Sequence, residues 1–229
     1  MKKNNSVAQI LIRFRTILIL VILVAVFTYL KPVFLDGTNL LNMIKRMSYV
    51  AVTAFGMTFL LTLGVFDMSA GATAALIGVS AAYGLNKGIS VPVMLLLVLV
   101  ISLFCGWLNG LIVVKGKIAA FLTTLATMNI YSGIAQILTA GRTVSIKQKG
   151  LTNFFGNGLF LGVIPNPVLI MAIFFAAALF LFYKTKFGYY CRCIGGNEEA
   201  ARVAGIPVDR IKMIAFTMMG FCSGVAGMI

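Results

Sequence analysis

Apolar residues in this chain come in runs of bilayer length, and that one feature removes most folds from consideration. Residues 16–30, 47–64, 68–85, 91–114, 118–140 and 162–183 form six such runs, and a seventh starts near Met213 and is still running at Ile229. Each is close to the ~20 residues that a helix needs to cross a hydrocarbon core of ~30 Å. Backbone polar groups inside lipid must be satisfied within the protein, so runs this long are read as helices. The expected fold is all-α: a polytopic transmembrane helical bundle with six spans before a polar loop and a seventh begun at the C-terminus. Composition agrees, with 61% apolar and 10% charged residues against roughly half and a quarter in soluble domains.

Net charge is +14, which in a soluble chain would suggest nucleic acid. Here the basic residues lie mostly between the apolar runs and read as topology determinants, which argues against a nucleic-acid role. Lys2, Lys3, Arg13 and Arg15 precede the first run, and Lys184, Lys186, Arg192, Arg202, Arg210 and Lys212 fill the largest polar loop. Placing both groups in the cytoplasm requires an even number of crossings between them, and six satisfies it. Lys115 and Lys117 then also face inward, leaving Lys31, Lys45, Arg46, Lys87, Arg142, Lys147 and Lys149 outside. Lys45 and Arg46 fit this scheme least well, and an outer segment lying along the interface over residues 34–45 is expected to hold them. The first run ends in Phe-Thr-Tyr-Leu-Lys-Pro without a small-x-small cleavage site, so it reads as a retained span behind a cytoplasmic tail of residues 1–15.

The third run, Asp67-Met-Ser-Ala-Gly-Ala-Thr-Ala-Ala-Leu-Ile-Gly, is made largely of small residues that let helix backbones approach closely, which places it in the bundle interior. Asp67 stands at its edge. Two roles fit: a helix cap whose carboxylate accepts the N–H of Ser69 or Ala70, or a pathway group at membrane depth; Ser69 and Gly71 share the segment. Gly106-x-x-x-Gly110 and Gly220-x-x-x-Gly224 have helix-packing spacing. Trp107 and Tyr131 read as packing or interface anchors. Cys105, Cys191, Cys193 and Cys222 offer no disulfide framework, and without histidine the chain has no evident metal site.

The loop over residues 184–212 carries the clearest punctuation. Asn197 can cap a short helix, Glu198 and Glu199 complement its positive end, Arg202 lies toward its negative end, Gly205 suits a left-handed stop, and Pro207 prevents continuation. Glu198 and Arg202 stand four apart, the spacing of a helical ion pair. Ala200, Ala201 and Ala204 make a small-residue face. Two turns are marginal alone, so this helix is either a self-contained capped turn or an element that enters a groove on a partner.

The segment GGNEEAARVAGIPVDRIK resembles the cytoplasmic coupling helix of permeases in ATP-binding-cassette importers, in particular the branch that takes up ribose, galactose, xylose and related small carbohydrates. Glu199-Ala200-Ala201-x-x-x-Gly205 matches the core of the general importer-permease loop. AFGMTFLLTLGVFDMSAG and NGLIVVKGKIAAFLTTLATMNIYSGIAQILTAGR are similar to the same branch, so the resemblance spans residues 47–229. Phe66, Met68 and Ala119-Ala120 depart from its usual pattern. The resemblance implies one transmembrane permease domain over residues 1–229 in a bacterial cytoplasmic (inner) membrane, N-terminus inside. It further implies two ATPase subunits on the cytoplasmic face, a second permease copy or paralogue, and an external solute-binding protein. Residues 197–205 would couple the bundle to the ATPases. Such permeases usually continue for further spans, so the run reaching Ile229 suggests a C-terminally truncated permease.

No Gly-x-x-x-x-Gly-Lys-Ser/Thr occurs in the chain, so ATP hydrolysis is expected on separate subunits and no cofactor is expected here. Two alternatives remain at this stage. An ion-coupled secondary transporter would want intramembrane ionisable groups, for which only Asp67 stands available. A non-transporting remnant would follow from missing spans.

Overall fold

Satisfying the backbone within each run produces helices almost throughout. The computed structural model describes residues 6–146, 155–156, 158–162 and 164–229, with side chains from residue 14 onward. Lys2, Lys3, Lys147 and Lys149, and the Arg13 side chain, lie outside the described residues. The described helices are α1 (Ser6–Leu30), α2 (Gly37–Thr62), α3 (Ala70–Asn86), α4 (Val91–Lys115), α5 (Ala120–Thr139), α6 (Asn166–Lys184), α7 (Lys186–Gly196), α8 (Glu198–Val203) and α9 (Val208–Met228). Of these, α4, α5, α6 and α9 are each long and apolar enough to cross a membrane, and residues 14–30 of α1 form a shorter apolar stretch. A two-stranded antiparallel ribbon pairs Leu159 with Pro165 and Phe160 with Ile164 ahead of α6.

The chain divides into two compact units, Met1–Ile44 and Lys45–Ile229. In the first, a 3-10 turn over Pro32–Leu35 follows α1, and the rings of Phe27 and Phe34 stack at 5.5 Å. Asp36 opens α2: its carbonyl accepts from the Leu40 N–H at 2.9 Å and its carboxylate from the Thr38 N–H at 3.1 Å. Those Thr38 contacts hold the exposed Asp36 carboxyl below the usual carboxylate range. The expected interfacial segment over residues 34–45 is therefore the 3-10 turn followed by the first turns of α2. An acid side chain that satisfies the leading N–H groups starts the helix ten residues earlier than hydropathy suggested.

In the second unit the core is organised around α9, which packs most extensively on α4 and next on α3, while α3 packs on α5. Glycine makes the α4–α9 approach possible. A Cβ on Gly106 would lie 2.9 Å from the Gly220 Cα, and one on Gly110 would lie 2.9 Å from the Met213 sulfur. Gly224 sits against Ser102 in the same antiparallel seam, so the two sequence-spaced glycine pairs line one seam and touch at Gly106 and Gly220. On the other flank, a Cβ on Gly78 of α3 would lie 2.9 Å from the Gly227 carbonyl oxygen. The small-residue run of α3 is thus interior, as expected, with Ala72, Thr73, Leu76, Ile77, Ala81 and Ala82 all buried. Tyr131 of α5 is buried and its hydroxyl donates to the Cys105 carbonyl at 3.2 Å, whereas Trp107 faces outward beside Phe104.

All four cysteines are free, and Cys105, Cys191 and Cys222 are buried. Cys191 and Cys193 belong to α7, a helix that the sequence reading treated as loop. Burial pushes the Cys191 thiol up to about 12.

Two glycine substitutions test the seam. Gly106→Leu forces atoms into backbone and is expected to cost at least roughly 1–3 kcal/mol. Gly133→Ala, where a Cβ meets nothing within 4 Å, is expected to be neutral or to gain up to about 1 kcal/mol from helix propensity. Thermal denaturation of the two purified variants in detergent checks the contrast, and equal melting temperatures would contradict it.

Candidate coupling surface and buried polar turn

Residues 184–212 fold as a helical cap on one end of the bundle. Thr185 makes the corner between α6 and α7: its hydroxyl donates to the Leu181 carbonyl at 2.5 Å and accepts from the Gly188 N–H at 3.3 Å. Gly188 presses on the carbonyls of Leu181 and Phe182, and Gly195 presses on the Thr62 carbonyl at the end of α2, so neither has room for a side chain. One face of α7 buries Cys191 and Ile194 in an apolar cluster with Phe59, Leu60, Leu63, Ala201, Val208, Ile211 and Phe216. Val113 and Ala120, at the turn between α4 and α5, pack on that cluster. The α2–α3 turn, the α4–α5 turn and the cap therefore share one end of the unit.

Within the cap, α8 has both ends closed. The Asn197 Oδ1 accepts from the Ala200 N–H at 2.9 Å. At the other end Gly205 has φ +80°, the Ile206 N–H donates to the Ala201 carbonyl at 3.0 Å, and the Gly205 N–H donates to the Arg202 carbonyl at 3.1 Å. That pair of bonds is the Schellman arrangement, with Ile206 and Ala201 both in the apolar cluster beneath. Glu198 pairs with Arg202 at 3.3 Å and with Lys212 of α9 at 2.7 Å, and Arg202 also pairs with Asp209 at 3.1 Å. Asp209 and Lys212 were not singled out from sequence. Their spacing from Glu198 has meaning only once the Gly205–Pro207 corner folds α9 back beside α8.

The expected alanine face is not presented as a unit. Ala201 is buried against its own chain, while Ala200 and Ala204 are exposed. The outward surface instead carries Glu199, Ala200, Val203 and Ala204, and Val203 is 90% exposed. A spacing of three alanines on two turns cannot say which side faces the molecule. The answer comes from the Ile206 staple, which turns Ala201 inward.

Asp67 lies in the α2–α3 turn, 3% exposed. One carboxylate oxygen, Oδ1, accepts from both the Ser69 N–H and the Ser69 hydroxyl at 2.7 Å. The Asn109 amide of α4 donates to the Ser69 hydroxyl oxygen at 2.8 Å, and the Thr124 hydroxyl of α5 accepts from the Met68 N–H at 3.0 Å. These bonds clamp the turn to two neighbouring helices. The N-cap position of α3 is Ser69, whose carbonyl accepts from the Thr73 N–H. Asp67 acts one step earlier, fixing the turn that delivers Ser69, which corrects its reading as the cap itself. Gly71 is exposed, and a Cβ there would meet nothing within 4 Å, so it belongs to neither cluster. Asn109 and Thr124 are the members that sequence reading missed; a lone amide between Gly106 and Gly110 in an apolar span was the available signal.

Acid tests the α8 network. Lys212, and then Arg202, holds the Glu198 carboxyl below the usual range. A carboxylate depressed on folding contributes stability that is fully present above its unfolded value and lost as pH falls through the folded one. Hydrogen-exchange protection of the Ala201 to Ile206 amides is expected to hold at neutral pH and to decline below about pH 4.3. Glu198→Gln is expected to show reduced protection at neutral pH and a smaller acid decline. Wild-type protection that does not change with acid would refute the role of the pair.

Comparison with known proteins gives a consistent result. Residues 39–229 match the family described as branched-chain amino acid transport system / permease component. The ribose import permease protein of Haemophilus influenzae is 36% identical over 229 residues, covering 99% of this chain and 71% of the relative. The corresponding Bacillus subtilis protein is 38% identical, covering 98% and 69%. The L-arabinose transport system permease protein of Escherichia coli K12 is 34% identical, covering 100% and 69%. No solved structure matches the chain.

Proposed function

Since the chain belongs to the family of branched-chain amino acid transport system permease components, a family of polytopic helical membrane proteins, we propose that it is the membrane-spanning subunit of an ATP-binding-cassette importer for a small carbohydrate. The observation that carries this reading is similarity along nearly the whole chain to permeases named for ribose and arabinose. On this reading residues 1–229 form one permease domain in a bacterial cytoplasmic membrane, with the N-terminus inside. A second permease copy or paralogue completes the pathway, an external binding protein delivers the sugar, and ATP is hydrolysed on cytoplasmic subunits.

The proposed mechanism is mechanical. Closure of the ATPase pair pushes on residues 197–205, and the push passes to α9 through a short corner stiffened by the Schellman bonds and by the Glu198–Lys212 and Arg202–Asp209 pairs. From α9 it reaches α4 and α3 through the glycine seam. On this reading Val203, with Glu199 and Ala200, meets the ATPase and Ala201 holds α8 to the bundle, a division supported by the exposure of the first three and the burial of Ala201. Against the ion-coupled alternative, Asp67 Oδ1 is engaged by the chain's own turn, accepting from both the N–H and the hydroxyl of Ser69.

Reconstituted importer distinguishes the two alanine-region roles. Val203→Asp places a charge on the outward face and is expected to leave melting temperature within a degree or two of wild type while lowering ATP-driven sugar uptake at least tenfold. Ala201→Trp overpacks a buried site and is expected to lower melting temperature along with uptake. Normal uptake by a folded Val203→Asp variant would sink the assignment of that face.

A further inference from the structure

Between α2 and α6 the second unit leaves an apolar groove that helix packing does not close. Side-chain rings bridge it at two points: Phe55 meets Phe175 at 5.5 Å and Phe59 meets Phe182 at 5.7 Å. Two adjoining hollows of about 210 and about 370 Å3 share Phe55, Phe59 and Ala178 as walls, and apolar side chains line nearly all of both. Along α6 the lining runs from Ile173 to Tyr183, about 15 Å at ~1.5 Å per residue. That is half of a ~30 Å hydrocarbon core, the depth of one leaflet.

The end of the groove is cationic. Arg192 of α7 stands over the Phe182 ring at 4.9 Å and beside the Tyr183 ring at 5.9 Å, and its guanidinium donates to the Phe182 carbonyl. Lys184 closes α6, Lys186 opens α7, and both are exposed. Among the described residues no carboxylate pairs with any of the three; the described ion pairs all lie in the Glu198, Arg202, Asp209 and Lys212 network. An apolar slot one leaflet deep, ending in three unpaired cations at the helix terminus, has the chemistry of an amphiphile with an anionic head.

We propose that the α2–α6 groove binds an anionic phospholipid of the bilayer, with one acyl chain along Phe55, Phe59 and Ala178 and the phosphate on Arg192, Lys184 and Lys186. The site rests on the membrane reading of the chain and not on transport or on the identity of its solute. Arg192 is held by the aromatic rings, so its charge is pre-positioned. The bound lipid adds to the contact between α6 and α2, where the Phe55–Phe175 and Phe59–Phe182 ring pairs already meet.

Native mass spectrometry of the purified full chain, given dioleoyl phosphatidylglycerol or dioleoyl phosphatidylcholine, tests this. Wild type is expected to retain the phosphatidylglycerol preferentially. Lys184→Gln and Lys186→Gln, both exposed and harmless to folding, are each expected to weaken that preference about fivefold, and Arg192→Gln at least as much. Ala178→Trp, which fills the groove, is expected to reduce retention of both lipids. Equal retention of the two lipids by wild type would overturn the proposal. So would unchanged selectivity in the double lysine variant, or displacement of the lipid by millimolar glycerol 3-phosphate, which would mark a site for a free anion. None of these outcomes depends on sugar uptake, so the transport reading stands or falls separately.

Discussion

The architecture of residues 45–229 depends on how closely α9 approaches α4. In lipid there is no hydrophobic gain from bringing two apolar helices together, so association rests on packing at short range and on a few hydrogen bonds. Gly106, Gly110, Gly220 and Gly224 remove the side chains that would hold the backbones apart, and the seam closes to the point where a Cβ at Gly106 would overlap Gly220. Gly78 repeats the device on the α3 side. A bundle joined in this way has little slack along α9.

That stiffness gives the cap its significance. Six residues cannot hold a helix in water, and the surface ion pairs around Glu198 contribute little individually, about 0–1 kcal/mol each. The Asn197 cap is worth about 1 kcal/mol. The larger contribution is burial: Ala201 and Ile206 join the apolar cluster that already contains Ile211, Ala215 and Phe216 of α9. The same residues that stabilise α8 therefore join it to the helix that organises the core. On the proposed reading, that shared cluster is why a push on Val203 is felt at Gly220.

Much of this was legible in the sequence, and the misses have physical causes. Apolar runs marked the positions of the long helices, and four of them, α4, α5, α6 and α9, are long and apolar enough to cross a membrane. Asn197 and Gly205 marked the ends of α8 because caps use local chemistry. By contrast α7 was invisible to hydropathy: it is amphipathic, and its Gly188 and Gly195 serve close approach to the carbonyls of Phe182 and Thr62, which shows only in the folded chain. The inward turn of Ala201 and the ion pairs to Asp209 and Lys212 depend on where α9 lies after Pro207, a tertiary fact. The polar turn was half legible, since Asp67 stood out as an acid at a span edge while Asn109 and Thr124, which hold Ser69 and Met68 of the same turn, lie far away in sequence.

These attachments divide the second unit by stiffness. On one side α3, α4, α5 and α9 are joined by backbone contact and by the buried bonds among Met68, Ser69, Asn109 and Thr124. On the other, α6 has Pro167 as its buried residue and meets α2 and α9 through half-buried side chains and ring pairs. Rings slide over one another at small cost, whereas a glycine seam allows only rigid displacement of its helices together. On the proposed reading, a load entering at α8 passes more directly to the α3–α4–α5–α9 group than to α6. Thr185, the single residue between α6 and α7, is the corner between two grades of attachment: α7 enters the apolar cluster through the buried Cys191 and Ile194, while α6 packs on it through the half-buried Ala178, Leu181 and Phe182.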